Sequence, residues 1–198
     1  FHYGKKGKRA VTSGIADEEN KYAVVTLHLN DGSVLTFNDV RKFGSVRVLS
    51  AVQLENVLKK LGPEPLSKEF TLDALRKLLS RKKNANLKTA LMDQNFIAGI
   101  GNIYAQEMLY HARIDPRRKI ASLSDAEVHA LYVSMRKTLE LAIKHQGTTV
   151  QDYVHIEGSG GFQRVLTVYE REKCPQGHVL RKIYLGGRGT YWCGKCQR

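Results

Sequence analysis

The sequence predicts an α+β chain of more than one domain: strands first, a long helical middle, and a small metal-stapled hairpin at the end. Three observations predict it. The apolar period is strand-like over residues 21–50 and helical over 51–146. From residue 148 onward the chain is short-patterned, Gly-rich and turn-rich. All three cysteines, Cys174, Cys193 and Cys196, fall in that last segment.

Taken in order, residues 3–20 are Gly- and Lys-rich and then acidic, which reads as a loop. Tyr22 to Leu29 is β-branched and partly alternating, Asn30-Asp31-Gly32 is a hairpin turn, and Ser33 to Phe37 resumes extended structure. Val52, Leu54, Val57, Leu58 and Leu61 then form one short helix, stopped by Gly62-Pro63. Leu72, Leu75, Leu78 and Leu79 make a second, with Thr71 as its N-cap. The segment Leu91 to Glu107 has a helical stretch, a Gly99-Ile100-Gly101 turn, and then Asn102 placed to cap a new helix through Tyr110. Ser124 and Glu127 form a capping box ahead of Val128, Leu131, Met135, Leu139 and Ala142. Val165, Val168, Ile183 and Tyr184 read as strand residues. The domain boundaries implied are 1–62, 63–160 and 161–198.

The chain has 198 residues, 42% of them hydrophobic and 26% charged, which is ordinary for a folded protein and excludes wholesale disorder. No apolar run approaches the length of a membrane span, and the start has no signal-peptide core. The chain does not begin with Met, so a fragment is expected. Its formal net charge of +13 is spread over the whole length rather than gathered in a tail. That points to folded basic surfaces and a polyanionic partner, nucleic acid ahead of acidic membrane.

An odd, clustered cysteine count with a Cys-x-x-Cys argues against a secreted disulfide framework and for a metal site in a reducing, cytoplasmic setting. Cys193-Gly-Lys-Cys196 supplies two thiolates on a tight turn, and Cys174-Pro-Gln-Gly-His178 a thiolate and an imidazole. Together they make a closed structural set for one Zn²⁺. The alternatives are a redox pair at Cys193 and Cys196, and a His178 that is an ordinary surface residue. Between the two pairs, Gly186, Gly187 and Gly189 surround Arg188, which suits backbone N–H groups beside a phosphate-sized fork; the alternative is a hairpin turn with a solvated Arg. The N-terminus of the helix after Gly101 suits a second anion site, with Arg81, Lys82, Lys83 and Lys88 nearby in sequence; the alternative is a plain helix connection. In Arg41-Lys42-Phe43, an aromatic beside two cations suits a wedge between bases; the alternative is that Phe43 anchors the turn in the core.

These segments, in this order, resemble the formamidopyrimidine-DNA glycosylase family. The resemblance is carried by Phe37–Gly44, Leu61-Gly-Pro-Glu-Pro-Leu66, Leu91-Met-Asp-Gln94, Gly99-Ile-Gly-Asn-Ile-Tyr-Ala105, Gly161-Phe-Gln163, Val168-Tyr169 and Gly186–Thr190 ahead of Cys-x-x-Cys. The sister family, endonuclease VIII, shares the helical domain and the finger, but LGPEPL and GGRGT fit the formamidopyrimidine branch better. The resemblance implies the end of an N-terminal β-sandwich, a helix–two-turn–helix domain and a C-terminal zinc finger, acting as a monomer on damaged double-stranded DNA in the bacterial cytoplasm. It implies base-excision repair of oxidised purines, 8-oxoguanine and formamidopyrimidines, by a glycosylase with AP lyase activity that everts its target nucleotide.

By the same resemblance Arg41 faces the orphaned cytosine, Phe43 wedges the stack, and Tyr22, Lys83 and Lys88 contact DNA. Asn102 and Arg188 grip the phosphates flanking the lesion, Arg188 also assists δ-elimination, and Thr148–Gln163 closes over the extruded base. The family's nucleophile is an N-terminal proline followed by glutamate, and neither has a counterpart here, so the chain alone is expected to be inactive. The family also reads Cys-x-x-Cys-Gly at the upstream metal pair. Here Gly177-His178 follows Cys174-Pro-Gln directly, so that His178 takes over as ligand, or the finger binds zinc poorly, or the sequence record is short of a residue. A non-catalytic DNA- or RNA-binding finger module is the competing reading.

Overall fold

The computed structural model describes residues 2–5, 22–40, 42–148 and 160–198; Arg41 and most of the Thr148–Gln163 loop lie outside the described residues. The chain forms two compact units, Phe1–Ser50 with His145–Gln163, and Ala51–Lys144 with Arg164–Arg198.

In the first unit, β1 (His2–Lys5), β2 (Ala23–His28) and β3 (Ser33–Asn38) form an antiparallel sheet with β3 in the centre. The expected hairpin closes where predicted. Leu29 N–H donates to the Ser33 carbonyl at 2.9 Å, Asp31 Oδ1 accepts from Ser33 N–H at 2.9 Å, and Gly32 takes φ +79°. The loop expected over 3–20 begins instead with β1, which pairs His2 with Thr36 through Lys5 with Ser33. A Gly- and Lys-rich segment carries no strand pattern of its own; the free edge of β3 recruits it through backbone bonds. Elsewhere in this unit, the N–H groups of Gly161 and Phe162 donate to the carbonyls of His145 and Gly147 at 2.7 and 3.0 Å.

The second unit contains α1 (Ala51–Leu58), α2 (Leu72–Ser80), α3 (Leu87–Leu91), α4 (Asn102–His111) and α5 (Asp125–Lys144), followed by the hairpin β4 (Arg181–Leu185) and β5 (Arg188–Trp192). Helix α1 forms as expected but buries none of its residues. Gly62 after it donates to the Gln94 carbonyl at 2.8 Å, and a Cβ there would meet the Phe96 carbonyl carbon at 2.4 Å. Only glycine lets these two backbones approach so closely. Thr71 caps α2, its Oγ1 accepting from Ala74 N–H at 3.2 Å. The capping box at α5 closes in both directions, Ser124 N–H to Glu127 Oε2 at 2.7 Å and Glu127 N–H to Ser124 Oγ at 3.3 Å. The predicted apolar stripe of α5, Val128, Leu131, Met135, Leu139 and Ala142, is the face it buries.

Leu75, Leu87, Leu91, Ile97, Ile100, Met108, Leu109, Ile114 and Leu131 have no accessible surface and form the core between α2, α3, α4 and α5. Each such side chain contributes about 1.5–3 kcal/mol on leaving water. The finger's own cluster is far smaller: Tyr110, Val168, Cys174 and Cys193, with Leu180 and Cys196 against it. Two expectations are corrected here. Val165 and Val168 lie in irregular chain rather than strands. Val168 is nonetheless fully buried, because the Glu107 carboxylate takes its N–H at 3.0 Å in place of a strand partner. Asn102 does not cap α4; Gly101 holds the cap position without a side-chain bond, and Asn102 is the first helical residue.

Candidate nucleic-acid interface and metal centre

Cys174, His178, Cys193 and Cys196 come together with their ligand atoms all within 4.8 Å of one another. His178 Nδ1 lies 3.6 Å from Cys174 Sγ, 3.7 Å from Cys193 Sγ and 3.3 Å from Cys196 Sγ, and the Cys174 and Cys196 sulfurs are 3.9 Å apart. A tetrahedral ion with metal–sulfur bonds of ~2.3 Å and a metal–nitrogen bond of ~2.0 Å separates sulfurs by about 3.8 Å and sulfur from nitrogen by about 3.5 Å. The observed separations fit that ion, so the four side chains can hold one metal with no position left open. At the short upstream knuckle Gly177 takes φ +78°, and the His178 ring lies beside the three sulfurs, where it could serve as a fourth donor.

Burial works against a thiolate at Cys174. The backbone N–H groups of His178 and Gln176, with hydrogen bonds from Cys193 and Tyr110, outweigh it and bring the thiol down to about 6. A metal ligand must be deprotonated, and these bonds favour that state. Tyr110 reaches the same knuckle from α4, its hydroxyl donating to Gln176 Oε1. Burial, then the contact with Cys174, pushes the Tyr110 phenol well above its usual range.

The metal hairpin presents its glycine turn against the helices. Gly186 and Gly187 take φ +57° and +71°, and a Cβ on Gly186 would lie 2.9 Å from the Thr89 methyl of α3. Beside Thr89 on α3, Lys88 is buried, with Nζ donating to Asn102 Oδ1 at 2.7 Å. Asn102 Nδ2 donates in turn to the Gly189 carbonyl at 3.2 Å. Asn102 is thus spent as a bridge between α3 and β5, and the first N–H groups of α4 are left without a side-chain cap. Burial first, and then the nearby Arg188 charge, lowers Lys88 to about 8. Lys88, Asn102 and Arg188 therefore form one cluster at the uncapped N-terminus of α4, where an anion is favoured.

The other predicted residues are placed individually. Lys83 is exposed in the turn after α2, whose neighbour Lys82 is tied to Asp93 at 2.6 Å. Tyr22 and Phe43 are exposed residues of the first unit. Phe43 is 81% exposed, which removes the reading that it anchors its turn in the core. Its loop is shaped by Asp39, whose two oxygens accept from Lys42 N–H at 2.9 Å and Gly44 N–H at 2.5 Å.

Sequence reasoning missed Gln106 and Glu107, adjacent and almost wholly buried on α4. Glu107 accepts from the N–H groups of Thr167, Val168 and Tyr169 at 2.8, 3.0 and 2.9 Å, fixing the chain that leads into the finger. The available signal was a pair of polar residues inside an otherwise apolar helix, which need buried partners.

A helical core whose α4 starts without a side-chain cap, pinned beside a glycine-rich hairpin closed by a Cys₃His set that could hold a metal, defines the class: a helix–turn–helix protein with a finger-like hairpin. Residues 61–154 match the formamidopyrimidine-DNA glycosylase H2TH domain. The chain is 43% identical to the formamidopyrimidine-DNA glycosylase of Xanthomonas oryzae pv. oryzae, over 100% of its own length and 74% of the relative's. It is 40% identical to that of Desulforamulus reducens, over 90% and 66% respectively. The crystal structure of the Lactococcus lactis FPG mutant G226P, in complex with a Fapy-dG containing DNA, superposes with a TM-score of 0.84 at 31% identity, covering 100% of this chain and 70% of that one. The chain belongs to the formamidopyrimidine-DNA glycosylase family, and spans 66–74% of the length of these two curated relatives. Among the described residues no helix is long and apolar enough to cross a membrane.

Proposed function

We infer that the protein serves base-excision repair as a DNA glycosylase with AP lyase activity on oxidised purines in duplex DNA, working as a monomer in the cytoplasm. The observation that carries this is the cluster of Lys88, Asn102 and Arg188 at the uncapped start of α4. There the backbone N–H groups and the Arg188 guanidinium take the phosphates beside the damaged nucleotide, each contact releasing counterions from the duplex. Lys88 lends charge from beneath and reaches a phosphate when Asn102 releases it. Arg188 is also the residue we assign to assisting δ-elimination, as the family resemblance implies. Phe43 and Arg41 fill the space left by the everted base, and Tyr22 and Lys83 hold the flanking backbone.

Zinc is the metal we assign to Cys174, His178, Cys193 and Cys196. Three thiolates and an imidazole in a closed tetrahedron suit zinc, and three unpaired cysteines suit a reducing compartment. Bound there, the ion supplies structure, tying the hairpin that carries Arg188 to the knuckle at Cys174.

The test is equilibrium binding of the chain to duplexes with and without a tetrahydrofuran abasic analogue, followed by fluorescence anisotropy. Tighter binding to the damaged duplex is expected; equal affinity for both would overturn the repair reading in favour of a general DNA-binding module. The affinity also carries a pH signature. A phosphate at the cluster favours charged Lys88, so binding takes up a proton and weakens as pH rises above about 8.

A further inference from the structure

Asn102, Gln106 and Tyr110 recur every four residues along α4 and so share one face of the helix. That face is bonded to the finger at each level: Asn102 to the Gly189 carbonyl, Tyr110 to Gln176 of the metal knuckle, and Gln106 between them. Gln106 is 1% exposed. Its Nε2 donates to the Asn102 carbonyl at 2.9 Å and to the Gly189 carbonyl at 3.2 Å, while its Oε1 accepts from Tyr191 N–H at 2.6 Å. One carboxamide thus grips β5 by an acceptor and a donor, immediately after Arg188. Apolar packing would hold the strand against the helix but would let it slide; a donor and an acceptor bonded at once fix its register as well.

We propose that Gln106 is the positioning residue for Arg188: by clamping the Gly189 carbonyl and the Tyr191 N–H onto α4, it holds the Arg188 guanidinium beside the Lys88–Asn102 pair as one anion fork. This rests on the reading that the fork takes a DNA phosphate. Gln106 itself touches no DNA and acts only through Arg188.

The test is a double-mutant cycle on the full chain, measuring affinity for the tetrahydrofuran-containing duplex over a salt series. The proteins are the wild type, Arg188→Ala, Gln106→Met and the double variant, each checked for metal content and thermal midpoint. Gln106→Met is expected to weaken binding about tenfold and to make the slope of log K against log salt shallower by about one. In the Arg188→Ala background it is expected to add nothing further. An equal loss in both backgrounds, with the salt slope unchanged, would mean a merely structural role and would overturn the proposal. Should Gln106→Met fail to fold, Gln106→Glu keeps the acceptor for Tyr191 but cannot donate to Gly189, and is read in the same cycle. If Arg188→Ala weakens binding and neither Gln106 variant does, this inference alone falls. If Arg188→Ala leaves affinity and slope unchanged, the phosphate reading of the fork falls first, and this inference with it.

Discussion

Helix α4 is gripped on two sides by different physics. Towards α2, α3 and α5 it offers Ala105, Met108 and Leu109, all without accessible surface, to a core of aliphatic side chains. Towards the finger it offers Asn102, Gln106 and Tyr110, which bond the hairpin and the knuckle, and Glu107, which bonds the chain leading into them. Apolar burial is non-directional and supplies most of the stability. The bonded side supplies placement, and its own apolar cluster is small, so the metal proposed for the Cys₃His set would supply much of its stability. Asn102 and the hairpin that carries Arg188 meet on the bonded side, where a fraction of an ångström matters.

Removing the metal breaks the comparison most severely. Zinc in finger peptides is worth on the order of 10 kcal/mol at neutral pH, so a chelator should unfold the hairpin while leaving α2–α5 intact. Hydrogen exchange is expected to lose protection at 181–192 with the helical circular dichroism largely kept; loss of both together would mean that the two sides are not separable. His178→Ala should abolish stoichiometric metal binding in the same way, and one metal per chain in that variant would remove His178 from the ligand set. Leu131→Ala attacks the other side. Leu131 has no accessible surface, and its truncation should cost about 2–5 kcal/mol in chemical denaturation. Metal affinity should stay unchanged.

The same division decides what could be read from the sequence. Thr71, the Ser124–Glu127 box and the α5 stripe were legible because a cap or an amphipathic period is written within a few residues. The metal set was legible because thiolate chemistry is rare and its spacing is local. Gln106 and Glu107 were not: the polar pair inside α4 signals a need for buried partners, but those partners, Tyr191 and Thr167–Tyr169, lie far along the chain. For the same reason β1 was read as loop: its pairing is a property of β3. Asn102 reads as a cap from its local position, but its side chain bonds Lys88 and the Gly189 carbonyl, partners that the local sequence does not show.

An intermediate effect is expected at Glu107. Glu107 is 2% exposed, and its carboxylate accepts from the N–H groups of Thr167, Val168 and Tyr169 and from the Thr167 hydroxyl. Glu107→Gln conserves shape but turns an NH₂ towards those donors, which should cost about 2 kcal/mol. The loss should show as faster hydrogen exchange at 167–169, upstream of the metal knuckle, with the metal still bound. A global loss with no local signature would place Glu107 with the apolar side of the comparison.

The smallest effect belongs to the seam between α5 and the last residues of the finger. Arg118 spans it, its guanidinium pairing with both Glu127 oxygens and donating at 3.1 Å to the Arg198 carbonyl. The Arg118 bond, helped by the Ser124 N–H and hydroxyl and opposed by partial burial, holds the Glu127 carboxyl down at about 2. A carboxylate whose value is lower in the folded chain than in the unfolded one stabilises the fold above the unfolded value and loses that contribution as pH falls towards the folded one. The stabilisation should therefore be complete above about pH 4.5 and fade down to about pH 2. Solvent screening keeps it below about 1 kcal/mol. Urea midpoints of wild type and Glu127→Gln should converge across that window; parallel curves would show that the bond does not couple the seam to folding. Because Arg118 also holds Arg198, the acid change should appear first in the exchange of the finger's last residues, and not in the aliphatic core, which contains no group that titrates there.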